Sequence, residues 1–444
     1  MGKEFDLLLK GGTVVSSQRR ETQDVGVVDG RIAEIGLLST EKAREVLDLT
    51  GLFVLPGLID SQVHFREPGA EHKEDLRTGS RAAILGGICS VLEMPNTSPP
   101  TTTREAIHDK FRRAQGRMCC DVGFFVGASP ENIDALGVLE TLPGVPGVKM
   151  FMGSSTGSLL IADDAGVEAV LRATRRRVAV HCEDEDRMNQ RRPMLGDTAS
   201  PTEHPVWRDA LCALEATRRL LALVKRHDRR VHVLHCTTAE EIEFLADHKR
   251  WATVEVTPQH LTLAAPECYE RLGTYAQMNP PIRGIEHQQA LWRGVEEGVV
   301  DVLGSDHAPH TREEKDKGYP NTPSGMPGVQ TILPVMLNHV HEGRLSLEKL
   351  VQLLAEGPAR VWSIFRKGKV VRGYDADFTI VDPNSSWTIH NDWIASKAGW
   401  TPFDGMRIHG RPVATILRGQ IVMREGEILL EGLGEPLSFD GAGG

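Results

Sequence analysis

His64 and Arg66 in QVHFREPG, Asn96 in EMPNTSPP, Lys149 in VKMFMG, His181 in AVHCEDE, His235 in HVLHCTT, and Asp306 and His310 in GSDHAPH are the residues of this chain best suited to chemistry. Neutral imidazoles with a carboxylate suit Zn2+ or a similar divalent ion, and three imidazoles with one aspartate leave a coordination position for water. Water held there loses a proton near neutral pH. Any one of the 17 histidines, taken alone, is better read as a satisfied core or surface side chain. Lys149 is the odd member, because a protonated amine cannot ligate a cation. Its apolar neighbours in VPGVKMFMG argue against free exposure.

What lifts these residues above the background is where they fall. Between residues 55 and 310 there are eight β-type runs: LIDSQV (58–63), ICSVLE (88–93), DVGFFVG (121–127), VPGVKMF (145–151), RVAVHC (177–182), RVHVLHC (230–236), ATVEVT (252–257) and VVDVLG (299–304). Longer amphipathic stretches such as RTGSRAAILGG and EHQQALWRGVEEG alternate with them, which is the βα rhythm of a parallel sheet. The count and length predict an α/β fold with a (β/α)8 TIM barrel. Most of the chemically capable residues stand at the C-terminal ends of these runs, which converge on one face of a barrel, where active sites are built.

The two ends of the chain have a different texture. DLLLKGG, TVVSS, DVGVVDGRIAEIG and REVLDL early, and DADFTIVDP and PVATILRGQIVMREGEI late, read as short strands with Gly and Asp-Gly turns. The expected division is 1–54 and 366–444 as β-rich ends around a catalytic barrel over 55–365.

Composition narrows the function class. The 444 residues carry 51 Lys+Arg against 61 Asp+Glu, a net charge of −10, so no nucleic-acid partner is expected and a small molecule is. Seven cysteines, without a CxxC pair, predict neither a disulfide framework nor a structural zinc, and a reducing cytoplasm is the expected setting. The opening MGKEFDLLLKGG lacks the long apolar core of a signal peptide or membrane span, so no membrane is expected.

PGLIDSQVHFREPG, EMPNTSPPTT, VKMFMGSSTG, AVHCEDE, HVLHCTT, TPQHL, MNPPIR, GSDHAPHTREEK and SGMPGVQT occur in this order, and together they resemble the dihydroorotases of the amidohydrolase superfamily. The resemblance runs from the opening β segment to TPFDGMRIHGRPVATILRGQIV. It implies a metal-dependent hydrolase barrel with a small β-sandwich made from both chain ends. It further implies one or two Zn2+ ions held by His64, Lys149, His181, His235 and Asp306, with Lys149 carbamylated and Asp306 also the proton shuttle. Arg66, Asn96 and His310 match positions that hold the substrate carboxylate, and Asn279 in MNPPIR and the backbone of Gly325-Met326-Pro327-Gly328 match contacts to the ring. The implied reaction is the reversible hydrolysis of dihydroorotate to N-carbamoyl-L-aspartate in de novo pyrimidine synthesis. The implied assembly is a homodimer.

One residue departs from the family pattern. The first strand of such enzymes usually ends in His-x-His, and here the first of that pair is Gln62. A neutral amide offers zinc only a weak carbonyl oxygen, so the first metal is expected to bind less tightly. Three alternatives to the dihydroorotase reading are an allantoinase, a hydantoinase, and a non-catalytic partner of aspartate transcarbamoylase. Arg66 speaks against the first two, since an uncharged ring leaves that cation unused. The otherwise intact ligand set speaks against the third.

Three further features have plainer readings. HTREEKDKGYP (310–320) reads first as a solvated charged loop and second, from its place just after Asp306, as a flap over the site; Cys182 reads as a small buried hydrophobe, and EGLGEPLSFDGAGG (431–444) as a loosely ordered tail.

Overall fold

The computed structural model describes residues 4–155, 157–196 and 198–439. Nine short parallel strands form the centre. Leu58–Val63, Ile88–Glu93 and Asp121–Phe124 make one sheet, and Val126–Gly127, Val148–Phe151, Val178–His181, Val231–Val233, Ala252–Val256 and Val302–Leu303 make the other. Every residue in these strands is buried, as expected of parallel strands covered on both faces. The run 121–127 is interrupted at Phe125, so it contributes one strand to each sheet. At the other extreme of the order, an isolated parallel bridge joins Val63 to His307. Strands are shorter than the apolar runs suggested: of 299–304 only Val302–Leu303 has ladder geometry.

The covering helices start where a side chain can satisfy their free N–H groups. Asp75 caps Leu76–Leu85 in a reciprocal pair with Thr78, and Asp209 accepts from the Cys212 N–H ahead of Ala210–Arg226. The latter buries Ala213, Ala216, Leu220 and Val224 along one face, a spacing of three to four residues that turns one stripe to the strands.

Both chain ends enter a third assembly. Thr13–Val15, Arg20–Thr22 and Phe53–Pro56 join Phe378–Thr388, Arg407–Leu417, Gln420–Arg424 and Glu427–Ile428 in a seven-stranded sheet. Phe5–Lys10, Asp24–Val28, Arg31–Gly36 and Ala43–Asp48 form a four-stranded sheet. Leu7, Leu9, Val25 and Val27 of the smaller sheet pack with Val54, Phe378, Ile380 and Ile416 of the larger. Lys367, buried, ties this region to the parallel strands: its amine lies 2.6 Å from both Asp121 and Asp377.

Two expectations about the surface are corrected. The charged run 310–320 is solvated only in part: Arg312, Glu313, Asp316 and Lys317 are exposed, but the segment is not simply a loop. It contains a helical turn, Arg312–Lys315, capped reciprocally by Thr311 and Glu314, and the Lys315 side chain is fully buried. Its ammonium donates to the carbonyls of Gln277, Pro323 and Gly325, which replace the water it gives up. Nor is the tail loose over 431–439: Pro436 bridges Val122, Phe439 bridges Ile364, and Leu437 is buried. Asp440 to Gly444 lie outside the described residues. Cys182 is buried and unpaired, like the other six cysteines. No helix among the described residues is long and apolar enough to cross a membrane.

Candidate metal and substrate site

At the C-terminal ends of the parallel strands a cavity is lined by Gln62, His64, Arg66, Asn96, Lys149, Phe151, Ser155, His181, His235, Asn279, Asp306, Ala308, Ser324 and Gly325. It gathers all five residues expected to hold metal, and three of the five expected to hold substrate. Gly328 and His310 are not among its lining residues. The Gly328 N–H donates to His307 Nδ1 at 3.0 Å, and Gly325, three residues earlier, is the glycine of that loop that reaches the cavity. His310 stands behind Arg66, with its Nε2 3.2 Å from the guanidinium.

The backbone is bent where these side chains leave the strands. Arg66, His235 and Asp306 have φ of 61°, 35° and 45°, left-handed conformations that cost a non-glycine residue free energy. The packing around them sustains that strain, which aims each side chain inward.

The ligand candidates form two close pairs. His64 meets an oxygen through each ring nitrogen: Nδ1 lies 2.7 Å from Asn96 Oδ1 and Nε2 3.1 Å from Asp306 Oδ1. Burial pulls the His64 pKa down, so the ring is neutral and has one proton for two acceptors. One nitrogen lone pair therefore faces an oxygen lone pair, an arrangement that a cation stabilises. The second pair is His181 and His235, with Nδ1 of the former 3.0 Å from Nε2 of the latter. His181 Nε2 donates to Glu183 Oε2 at 2.8 Å, which leaves Nδ1 as the ring's lone pair, directed at His235 Nε2. Glu183 is in turn gripped by the Arg208 guanidinium. Burial alone would raise the Glu183 carboxyl, but the Arg208 charge and the His181 contact outweigh it and hold the acid ionised.

Lys149 brings a buried amine with no hydrogen-bond partner among the described residues, 4.3 Å from the Phe151 ring centroid. Burial lowers its pKa to about 7, so a large neutral fraction exists at physiological pH. Gln62 Oε1 and His235 Nδ1 are also buried without partners. Among the described residues no three His, Cys, Asp or Glu side chains converge on one point. The donors are held instead in pairs around the bare Lys149 amine. These orphaned atoms and the facing lone pairs at His64 fit a cationic group.

Asp306 Oδ1 also accepts from Gln62 Nε2 at 3.1 Å. Burial by itself would raise the Asp306 carboxyl; the contact with His64, then His235 and Lys149, outweighs it and keeps the group below the usual carboxylate range. Arg66 is buried, and burial brings it only to about 10, so it enters the cavity as a cation at neutral pH. Its Nε donates to the Pro309 carbonyl at 3.2 Å, which fixes the plane of the fork. The net arrangement can bind an anion beside a centre that activates water.

Sequence reasoning did not single out Glu183 or Arg208. The signal for Glu183 was present, two residues after His181 in the same extended segment; nothing local marks Arg208 as its partner. Ser155 and Phe151, both within VKMFMGSSTG, also line the cavity.

The model of the amidohydrolase family matches residues 53–422. A dihydroorotase of Methanothermobacter thermautotrophicus is 38% identical over 448 aligned residues, covering 99% of each chain. An allantoinase of Escherichia coli O1:K1 is 32% identical, covering 94% of this chain and 95% of its own. The structure of an L-hydantoinase (dihydropyrimidinase) from Arthrobacter aurescens superposes with a TM-score of 0.92 at 31% identity, over 98% of this chain and all of that one.

Proposed function

The chain belongs to the amidohydrolase family and is a cyclic amidohydrolase, and from that premise we propose that it is a dihydroorotase, opening dihydroorotate to N-carbamoyl-L-aspartate and closing it in reverse. The observation that carries the choice is Arg66, a buried cation lining the cavity without a carboxylate partner of its own among the described residues. Dihydroorotate has an exocyclic carboxylate to pair with it; the rings of allantoin and hydantoin do not.

In this reading the parallel strands close into one eight-stranded barrel, with 121–127 as a single interrupted strand and the Val63–His307 bridge as the seam. The N- and C-terminal strands form its accessory β-sandwich. Residues 1–54, 55–365 and 366–444 are the corresponding divisions.

His64, His181, His235, Asp306 and a carbamylated Lys149 would hold zinc. The neutral fraction of the Lys149 amine is the nucleophile that carbamylation by CO2 needs. When bound, the metal would polarise the ring carbonyl and make water a competent nucleophile near neutral pH. Arg66, backed by His310, binds and orients the carboxylate. Asn96, which also contacts the His64 ring, holds the carboxylate with Arg66, and Asn279 and the Gly325 backbone approach the ring of the substrate. Asp306, kept ionised, accepts the proton of the attacking water and returns it to the leaving ring nitrogen.

The test is steady-state turnover by the purified, zinc-loaded protein of dihydroorotate, allantoin and hydantoin side by side. Dihydroorotate should be the best substrate. A clear preference for hydantoin or allantoin would transfer the assignment to those activities, and zinc binding without turnover of any of them would favour the scaffold role.

A further inference from the structure

Taking the cavity above as the cyclic-amide site, we propose that His204 is a positioning residue that decides which end of the Asn279 amide faces the substrate. His204 opens the short helix His204–Trp207 and is fully buried, 75 residues from Asn279 in sequence. Its Nε2 lies 3.0 Å from the Met278 carbonyl oxygen and 3.0 Å from Asn279 Oδ1. A backbone carbonyl can only accept, so Nε2 carries the ring proton and the atom of Asn279 that meets it is the amide oxygen. The other ring nitrogen agrees: Nδ1 is 3.4 Å from the Tyr319 hydroxyl, which donates to it. Burial, reinforced by the nearby Arg208 charge, holds the ring neutral, with a pKa of about 3. Trp207 and Tyr319 stand edge-on to it at 5.8 and 5.7 Å, which prevents the imidazole from turning over.

The consequence falls on the far side of Asn279. With Oδ1 occupied by His204, Nδ2 points to Ser155 Oγ at 3.3 Å, and both residues line the cavity. The amide therefore offers the substrate a donor, matched to a ring carbonyl oxygen. An amide free to turn would spend part of its time presenting an acceptor to that oxygen, which repels it. His204 does not touch the substrate; it makes the recognition by Asn279 one-sided.

A double-mutant cycle tests this on the zinc-loaded full-length enzyme, read as KM and kcat for whichever cyclic amide the wild type opens fastest. That first measurement judges the dihydroorotase reading by itself, and the cycle then judges His204 with the substrate it identifies. His204→Phe should raise KM about tenfold with kcat within about threefold, the scale of one oriented hydrogen bond. Asn279→Ala should do the same, and the double variant should be no worse than Asn279→Ala alone. His204→Gln, which keeps an N–H donor, should recover part of the loss. Additive effects in the double variant, or a loss confined to kcat and zinc content, would overturn the proposal. Should His204→Phe fail to fold, the cycle with His204→Gln decides by the same criterion of additivity.

Discussion

Gln62 Nε2 donates to Asp306 Oδ1 across 3.1 Å, and the same carboxylate oxygen lies 3.1 Å from His64 Nε2. The amide thus spends its donor on the candidate proton shuttle, and among the described residues its own oxygen is left buried without a partner. Placing an imidazole here would exchange that internal bond for a stronger potential metal donor. Gln62→His is expected to retain metal at higher chelator concentrations than the wild type. Zinc content measured along a chelator titration checks this; superimposable curves would remove Gln62 from the metal site.

Arg66 is the cation on which the choice of substrate rests. Arg66→Ala should lower kcat/KM for dihydroorotate by about a hundredfold or more, as expected when one partner of a buried charge pair is truncated. Zinc content should stay at the wild-type level, because Arg66 contacts the Pro309 carbonyl and His310 and no ligand candidate. Loss of both together would mean that the residue serves the metal site instead.

Buried neutral histidines make acid stability a third expectation. Burial, the leading cause in each, holds His204 and His232 at about 3 and His260 at about 4, against 6.5 in an unfolded chain. The sign follows from proton counting. Below pH 6.5 the unfolded chain takes up protons that the folded rings refuse, so stability is whole above that pH. It is lost as pH falls towards 3 to 4, at about 1.4 kcal/mol per pH unit for each ring. Buried Asp60 and Glu93, raised to about 7, and Glu255, raised to about 8, pull stability the other way over the same range, so the rings are followed individually. Their imidazole NMR resonances should stay in the neutral form down to pH 5; titration of all three near 6.5 would contradict the burial of these rings.

Lys315 supplies a fourth. Its ammonium serves three carbonyls drawn from positions 277, 323 and 325, the last belonging to a cavity-lining residue. Lys315→Met keeps the bulk of the stem but strands those oxygens, and should cost about 2–4 kcal/mol of stability. The same variant should raise the KM of the substrate by loosening Gly325. Denaturant titration and steady-state kinetics together check both halves; an unchanged urea midpoint would show the charge to be dispensable.

What could be read in the sequence, and what could not, divides by the range of the interaction. The parallel strands were visible because burial on both faces writes uninterrupted apolar runs, and His64, His181 and Asp306 were visible because they terminate such runs. The destination of the 310–320 segment was not, since burying Lys315 depends on carbonyls that local composition does not announce. The same holds for the tail, whose anchoring depends on Val122, and for Glu183, whose ionisation depends on Arg208. Motif order identified Asn279; only three-dimensional proximity could associate it with His204. The broken ladder at Phe125 and the two-residue strand at 302–303 show the limit of reading ladder ends from apolar character alone.

The seven-stranded sheet has a consequence for synthesis. Phe53–Pro56 pairs with Val381 through Phe378, and Thr13 and Val14 pair with Phe53 and Val54 on its other side. A ribosome finishes the N-terminal strands more than 320 residues before it makes their partner. Throughout that interval the Phe53–Pro56 edge is an open template for any extended chain that reaches it. The Phe53–Pro56 edge gains its second neighbour only when residue 378 has been made, so the larger sheet is completed late in synthesis.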